Sequence, residues 1–296
     1  MRVGDVEVVD TFAEAFPMWG ARVLMTADTP AWAMNAARSF TGFATSVIGC
    51  KCEAGIEHEL DPSETPDGRR GVAALLFAPD ADGLAKRLRE RVGQTVLTCP
   101  TTACFNGLRS EREVNVGGKL RFFGDGWQAS KVVAGRRYWR IPVMEGEFLV
   151  EERFGIVEGV GGGNIIILAE DVATALGAAE AAAEAMRAVE GAILPFPGGI
   201  ARSGSKVGSV RYKGAIASTN HVLCPTLRAQ VDDTEVPDGI GSVFEIVIDG
   251  LAPEPVREAM RVGLAAAARS GARQITAGNY GGNLGPHHFP LKEILP

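Results

Sequence analysis

The chain is 296 residues long, 46% apolar and 22% charged, with 30 basic against 36 acidic residues and a net charge of −6. That length has room for one large or two ordinary domains, each with its own core, and the acidic balance argues against a nucleic-acid partner. No run is long enough to span a membrane, MRVGDVEVVDTFAEAF is no secretory signal, and five cysteines in an odd set build no disulfide scaffold, so a reducing cytoplasm is the expected location.

In chain order, RVLMT (22–26) predicts a strand, a helix follows from Pro30 to before Gly42, and FATSVIG (43–49) predicts a second strand. GVAALLFAP (71–79), a helix over 81–92 closed by Gly93, and TVLT (95–98) complete a β-α-β-β-α-β run. A second run of the same kind starts with NIIILA (164–169), a helix over 172–189 closed by Gly191, and AILPFPG (192–198). It ends with SVFEIVI (242–248), a helix from about Pro255 to Ser270 at the Gly271 stop, and QITAG (274–278).

The fold expected is α+β: two ferredoxin-like lobes from an internal repeat, in domains 1–150 and 151–296. Between the runs, 115–155 reads as short strands and turns, and its expected task is to join the lobes. Asp67-Gly68 before one third strand matches Asp238-Gly239 before the other. That offset of 171 residues sets Glu245 opposite Ala74, and TCPTTACFNG (98–107) in the place of AGNYGGNLG (277–285).

Glu245 stands out because an isolated carboxylate inside an apolar strand is too costly to leave charged. It is paired, for example with an arginine, neutralised by a raised pKa, or placed at a cavity wall. The glycine cluster FPGGIARSGSKVGS (196–209) ends Gly204-Ser205-Lys206 and so lacks the phosphate-loop order, and Asn164 breaks the only approach to a dinucleotide fingerprint. Arg202, Ser203, Ser205 and Lys206 there either hold an anionic or amide-rich ligand or belong to a solvated connection. The spacing of Cys50 and Cys52 makes no structural zinc site, and no G-x-S-x-G elbow presents a serine nucleophile. Phe122, Phe123, Trp127, Tyr138 and Trp139 are core aromatics or a stacking surface.

Long strings along nearly the whole chain resemble the formylmethanofuran:tetrahydromethanopterin formyltransferase family. They include DTFAEAF (10–16), TGFATSVI (41–48), ETPDGR (64–69), FFGDGW (122–127), IPVMEGEFLVEE (141–152), FPGGIARSGSKVGS, STN (218–220), FEIVIDGL (244–251), EAMRVG (258–263) and AGNYGGNLG. RAQVDDTEVPDG (228–239) departs from the pattern by looking longer than in relatives. The resemblance implies formyl transfer between the amine of methanofuran and N5 of tetrahydromethanopterin, with both carriers as substrates and neither a metal nor a prosthetic group. It places the acid-base carboxylate on Glu245. The carrier-binding loops fall on Gly198, Gly199, Arg202, Ser203, Ser205 and Lys206 and on Asn279, Gly281 and Gly282, with glycine-loop N–H groups as added donors. Partners implied are further copies in a homo-oligomer, an amidohydrolase-like component of a formyltransferase/hydrolase complex, or both. The Ala-, Gly- and Arg-rich surface is closer to the bacterial form, the transferase component of that complex, which points to formaldehyde oxidation to formate in a methylotroph. A non-catalytic scaffold that holds formyl carriers for a neighbouring hydrolase is the alternative.

Overall fold

A computed structural model describes residues 1–295. The fold is mixed α+β, and its residues group into two compact units, Met18–Gly159 and Met1–Pro17 with Val160–Pro296. The cut expected after residue 150 assigned the first 17 residues to the N-terminal domain. They group instead with the C-terminal unit: Val6–Val8 pairs in parallel with Gln274–Thr276, and Phe12–Ala15 pairs with His287–Pro290.

In Met18–Gly159, the first run is β1 (Phe12–Thr26, from Met18 onward), α1 (Pro30–Thr41), β2 (Glu53–Leu60), β3 (Gly71–Ala78), α2 (Ala81–Arg91) and β4 (Ala103–Asn106). Its strands lie in the order β2-β3-β1-β4, every neighbour antiparallel. Thr29 and Asp80 cap the two helices through their side chains, and Pro30 opens α1, as expected of helix starts.

Two expected strands of this run are helical turns. Over 43–49, Ser46 caps a turn at Val47–Cys50 and Lys51 ends it in a left-handed conformation. The true second strand, EAGIEHEL, hid because it buries acids: Glu57 takes a two-pronged bond from Arg22 at 2.6 and 2.7 Å. TVLT continues α2 through a wide turn, Val92–Val96, so Gly93 does not stop the helix. The Thr95 and Thr98 hydroxyls bond back to the carbonyls of Arg91 and Gln94, serving groups that a helix end leaves open. The fourth strand comes later, inside the expected 98–107 loop. The 115–155 segment also does something other than link: Arg136–Val143 and Gly146–Glu151 form a hairpin, and the latter pairs in parallel with β4, widening this unit's sheet.

The second run is β5 (Val157–Ala169, from Val160 onward in this unit), α3 (Val172–Arg187), β6 (Ala192–Ile193), β7 (Ser242–Gly250), α4 (Pro253–Arg269) and β8 (Gln274–Thr276). Strand order is β6-β7-β5-β8, again antiparallel throughout. The expected strand 192–198 stops after two residues, since Pro195 and Pro197 carry no N–H for a ladder. Alternation sorts this sheet into two faces. Ile165, Ile167, Ile246, Ile248 and Ile275 pack on the alanine stripe of α3 and on Met260 and Leu264 of α4. Ile166, Leu168 and Val243 face the other way, beneath Leu223, Val236 and Ile240 of the long 221–240 segment.

Those faces correct the repeat register. Glu245 stands directly opposite Ile166, on the face away from the helices. Ala74 stands opposite Val23 and packs with the α1 and α2 residues, on the helix face. An offset of 171 therefore matches length but inverts the side, because a one-residue slip turns every side chain over.

Candidate active site

The helix-free face of the second sheet carries a row of polar groups. From β1 comes Glu14, between the core residues Ala13 and Ala15; from β5, Asn164; from β8, Thr276; and from β7, Glu245. Asn164 fixes the chain after β8 from both sides: its Oδ1 accepts from the Gly278 N–H at 2.6 Å and its Nδ2 donates to the Gly278 carbonyl at 3.2 Å. The loop that follows passes Tyr280 back across this face.

Glu245 is half-buried as a residue, and its backbone exchanges hydrogen bonds with Ala201 at 2.8 and 3.0 Å. Among the described residues no side chain pairs with its carboxyl. Burial alone pushes its pKa up to about 7, so near neutrality much of it is uncharged. The arginine pairing left open by the sequence is thus not the answer. Tyr280 is near enough that burial first, then the Glu245 charge, raises its phenol pKa, and its Oη donates to the Ser205 carbonyl at 3.2 Å.

The other expected site residues divide. Gly198 and Gly199 take left-handed conformations (φ 63° and 80°) in the turn after β6, and a Cβ at Gly199 would meet the Leu194 side chain at 2.8 Å. Arg202 and Ser203 line a cleft of about 810 Å³ with Phe196, Phe244, Glu184 and Arg187. Phe244 packs toward the helices and Glu245 points the opposite way, so this cleft lies behind the acid rather than in front of it. The Ser205 side chain is exposed, whereas Lys206 is already engaged, its Nζ 2.6 Å from His221 Nδ1.

Asn279 is a loop fastener: its Nδ2 donates to Thr11 Oγ1 at 3.0 Å and its Oδ1 accepts from the Gly281 N–H at 3.2 Å. Gly281 and Gly282 supply positive φ in the same loop. Phe122, Phe123 and Trp127 are exposed in the other unit, where Tyr138 instead packs its edge against Phe105.

Glu14 escaped the sequence reading. It is 1% exposed, and its carboxylate accepts from the N–H of Tyr280 at 2.7 Å, of Gly282 at 3.1 Å, of Gly285 at 3.0 Å, and of Leu284. Burial would raise its pKa, but these four bonds outweigh it and hold the group below the ordinary carboxylate value. The expectation that this glycine loop offers free N–H donors is corrected here, since these four already serve a protein anion. An acid within the apolar string FAEAF was the available signal, the same kind that singled out Glu245.

Among the described residues no cluster of three or more His, Cys, Asp or Glu side chains could hold a metal, and no helix is long and apolar enough to cross a membrane. What the face offers is an acid that is largely protonated near neutrality, a phenol and a backbone loop fixed by three side chains.

The chain matches the family model for formylmethanofuran-tetrahydromethanopterin formyltransferase over residues 1–143 and the model for its proximal lobe over 146–294. The formylmethanofuran–tetrahydromethanopterin formyltransferase of Methylobacillus flagellatus is 56% identical, with both chains fully covered. The solved enzyme of Methanosarcina barkeri superposes with a TM-score of 0.95 at 49% identity, again over the whole of both chains. The formyltransferase/hydrolase complex of Methylorubrum extorquens, solved with methylofuran, contains a chain with a TM-score of 0.97 and 52% identity, covering 100% of this chain and 99% of that one. With both halves matched and relatives alike from end to end, this chain belongs to the formylmethanofuran-tetrahydromethanopterin formyltransferase family and is a formyltransferase.

Proposed function

We propose that the chain moves a formyl group directly between the amine of a methanofuran-type carrier and N5 of tetrahydromethanopterin, with Glu245 as the acid-base group. The observation that carries this reading is the carboxyl of Glu245 on the helix-free face, without a side-chain partner among the described residues and pushed by burial up to about 7, so that much of it is uncharged near neutrality. The incoming nitrogen forms a bond to the formyl carbon, and the carbonyl electron pair moves onto oxygen. A neutral Glu245 donates a hydrogen bond as that charge grows, then gives its proton to the departing nitrogen as the old C–N bond breaks. The proton shed by the incoming nitrogen restores the acid. Holding both carriers in one geometry supplies the rest of the acceleration.

In this reading each β-α-β-β-α-β run is a ferredoxin-like lobe, the protein works in the cytoplasm of a methylotroph oxidising formaldehyde to formate, and it assembles with itself, with hydrolase subunits or with both. The homologous chain in the Methylorubrum extorquens complex supports the mixed assembly. Native mass measurement from source cells separates the cases.

The test of the activity mixes the purified chain with both carriers and follows the formyl group. Exchange without other subunits is expected, and Glu245→Gln should lower it by roughly 10²–10³-fold, as loss of an oxyanion donor does. Tight binding of both carriers without exchange would mark a scaffold instead. A formylated Cys99, Cys224 or serine, trapped with one carrier alone, would replace direct transfer by an acyl-enzyme route.

A further inference from the structure

Glu14 is a deeply buried acid for which the transfer chemistry has no use, and its partners say what it does. Four backbone N–H groups from one six-residue stretch converge on its two oxygens. Converging N–H groups in a glycine-rich loop ordinarily form a nest for an external anion such as phosphate. Here the protein supplies the anion itself, so the nest is permanently filled and the loop has one shape. Asn164 clamps the loop's start at Gly278, and Asn279 ties it to Thr11 and Phe12. Tyr280, the first residue bound by Glu14, follows the Gly278 clamp with only Asn279 between them.

The sheet decides where that phenol goes. Glu245, Ile166 and Thr276 face one another across β7, β5 and β8, so they share the helix-free face. Thr276 is two strands from Glu245, about 10 Å at the usual spacing, and the loop leaving Thr276 folds back over that gap. Ser205, whose carbonyl accepts from the Tyr280 phenol, follows four residues after Ala201, the backbone partner of Glu245.

We propose that Glu14 is a positioning residue for formyl transfer: its carboxylate gathers the N–H groups of Tyr280, Gly282, Leu284 and Gly285 and so holds the Tyr280 phenol over the face that carries Glu245. The phenol then does two things. It covers the Glu245 carboxyl, keeping water from it, and when the carriers bind it turns its one proton from the Ser205 carbonyl to the reacting carbonyl as a second neutral donor. The proposal rests on the transfer reading above.

The experiment compares wild type with Glu14→Gln and Tyr280→Phe in carrier-to-carrier exchange across pH, together with amide hydrogen exchange of residues 278–285. A Gln offers one acceptor oxygen where Glu14 offers two, and its NH₂ opposes an N–H donor. Faster amide exchange at Tyr280, Gly282, Leu284 and Gly285 is therefore expected, with kcat down about 100-fold, the usual effect of a small misplacement. The signature beyond a structural role is the alkaline limb of kcat/KM, set by Glu245, which should move to lower pH as water reaches the carboxyl.

Tyr280→Phe leaves every Glu14 bond in place, because these use backbone N–H, and should lose about tenfold in kcat, the worth of one hydrogen bond. This variant decides the matter if Glu14→Gln does not fold. Unchanged kcat in Tyr280→Phe, or a folded Glu14→Gln whose limb stays where it is in wild type, overturns the proposal alone. A wild-type chain without any exchange overturns the transfer reading and this proposal with it.

Discussion

Two acids on one sheet face are driven in opposite directions by what surrounds them. Glu245 has only burial acting on it, and its pKa rises to about 7. Glu14 is also buried, but four N–H donors keep it ionised. The pH consequences have opposite signs. For Glu245, raised when folded, the stability contribution is full below the ordinary value of 4.5 and is lost as pH rises through about 7. Glu245→Gln, which cannot ionise, should therefore melt above wild type at pH 8 in calorimetry while lacking transfer activity. Wild-type kcat/KM should fall tenfold per pH unit above about 7, and a flat profile to pH 9 would exclude Glu245 as the acid. For Glu14, lowered when folded, the contribution is present above the ordinary 4.5 and is lost as pH falls through its depressed value. Acid should thus loosen the 278–285 loop in hydrogen exchange, and Glu14→Gln should remove that dependence.

Among the elements, the last loop is defined as much by close approach as by hydrogen bonding. A Cβ at Gly285 would sit 2.3 Å from the Ala15 carbonyl oxygen and 2.7 Å from the Phe16 Cα, backbone atoms that cannot swing aside. Gly285→Ala should then destabilise the protein by about 1–3 kcal/mol, the usual cost of overpacking, read from urea denaturation midpoints. Helices were legible in the sequence because their caps are local: Thr29, Asp80 and Asp171 each bond an N–H three residues on through their own side chains. Strand β2 was not, because its buried Glu57 needs Arg22, 35 residues away, to be tolerable. Likewise the run TVLT has strand composition, yet two threonine hydroxyls turned to main-chain carbonyls make it a helical turn.

Over the whole molecule, one topology occurs twice and is put to different uses. The candidate site was legible in the sequence because Glu245 violates the pattern of its own strand. Its register in the repeat could not, because the face a residue takes depends on pairing rather than on counting. In the first run the matching stretch of the helix-free face is a closed apolar cluster, with Ala73 packed among Leu24, Leu60, Ala103 and Phe105, and the acid on that face, Glu57, is paired with Arg22. An acid in that closed cluster has no opening to water, so Ala73→Glu should destabilise by roughly 2–7 kcal/mol, the cost of burying an unsatisfied polar group. A variant that melts like wild type would show that either run could have hosted the acid. The cleft of about 810 Å³ beside α3 has its own consequence for anyone designing inhibitors. A small molecule lodged against Phe244 occupies the reverse of the blade whose obverse bears the acid, so it would slow turnover by shifting that blade and leave the apparent affinity for both carriers intact.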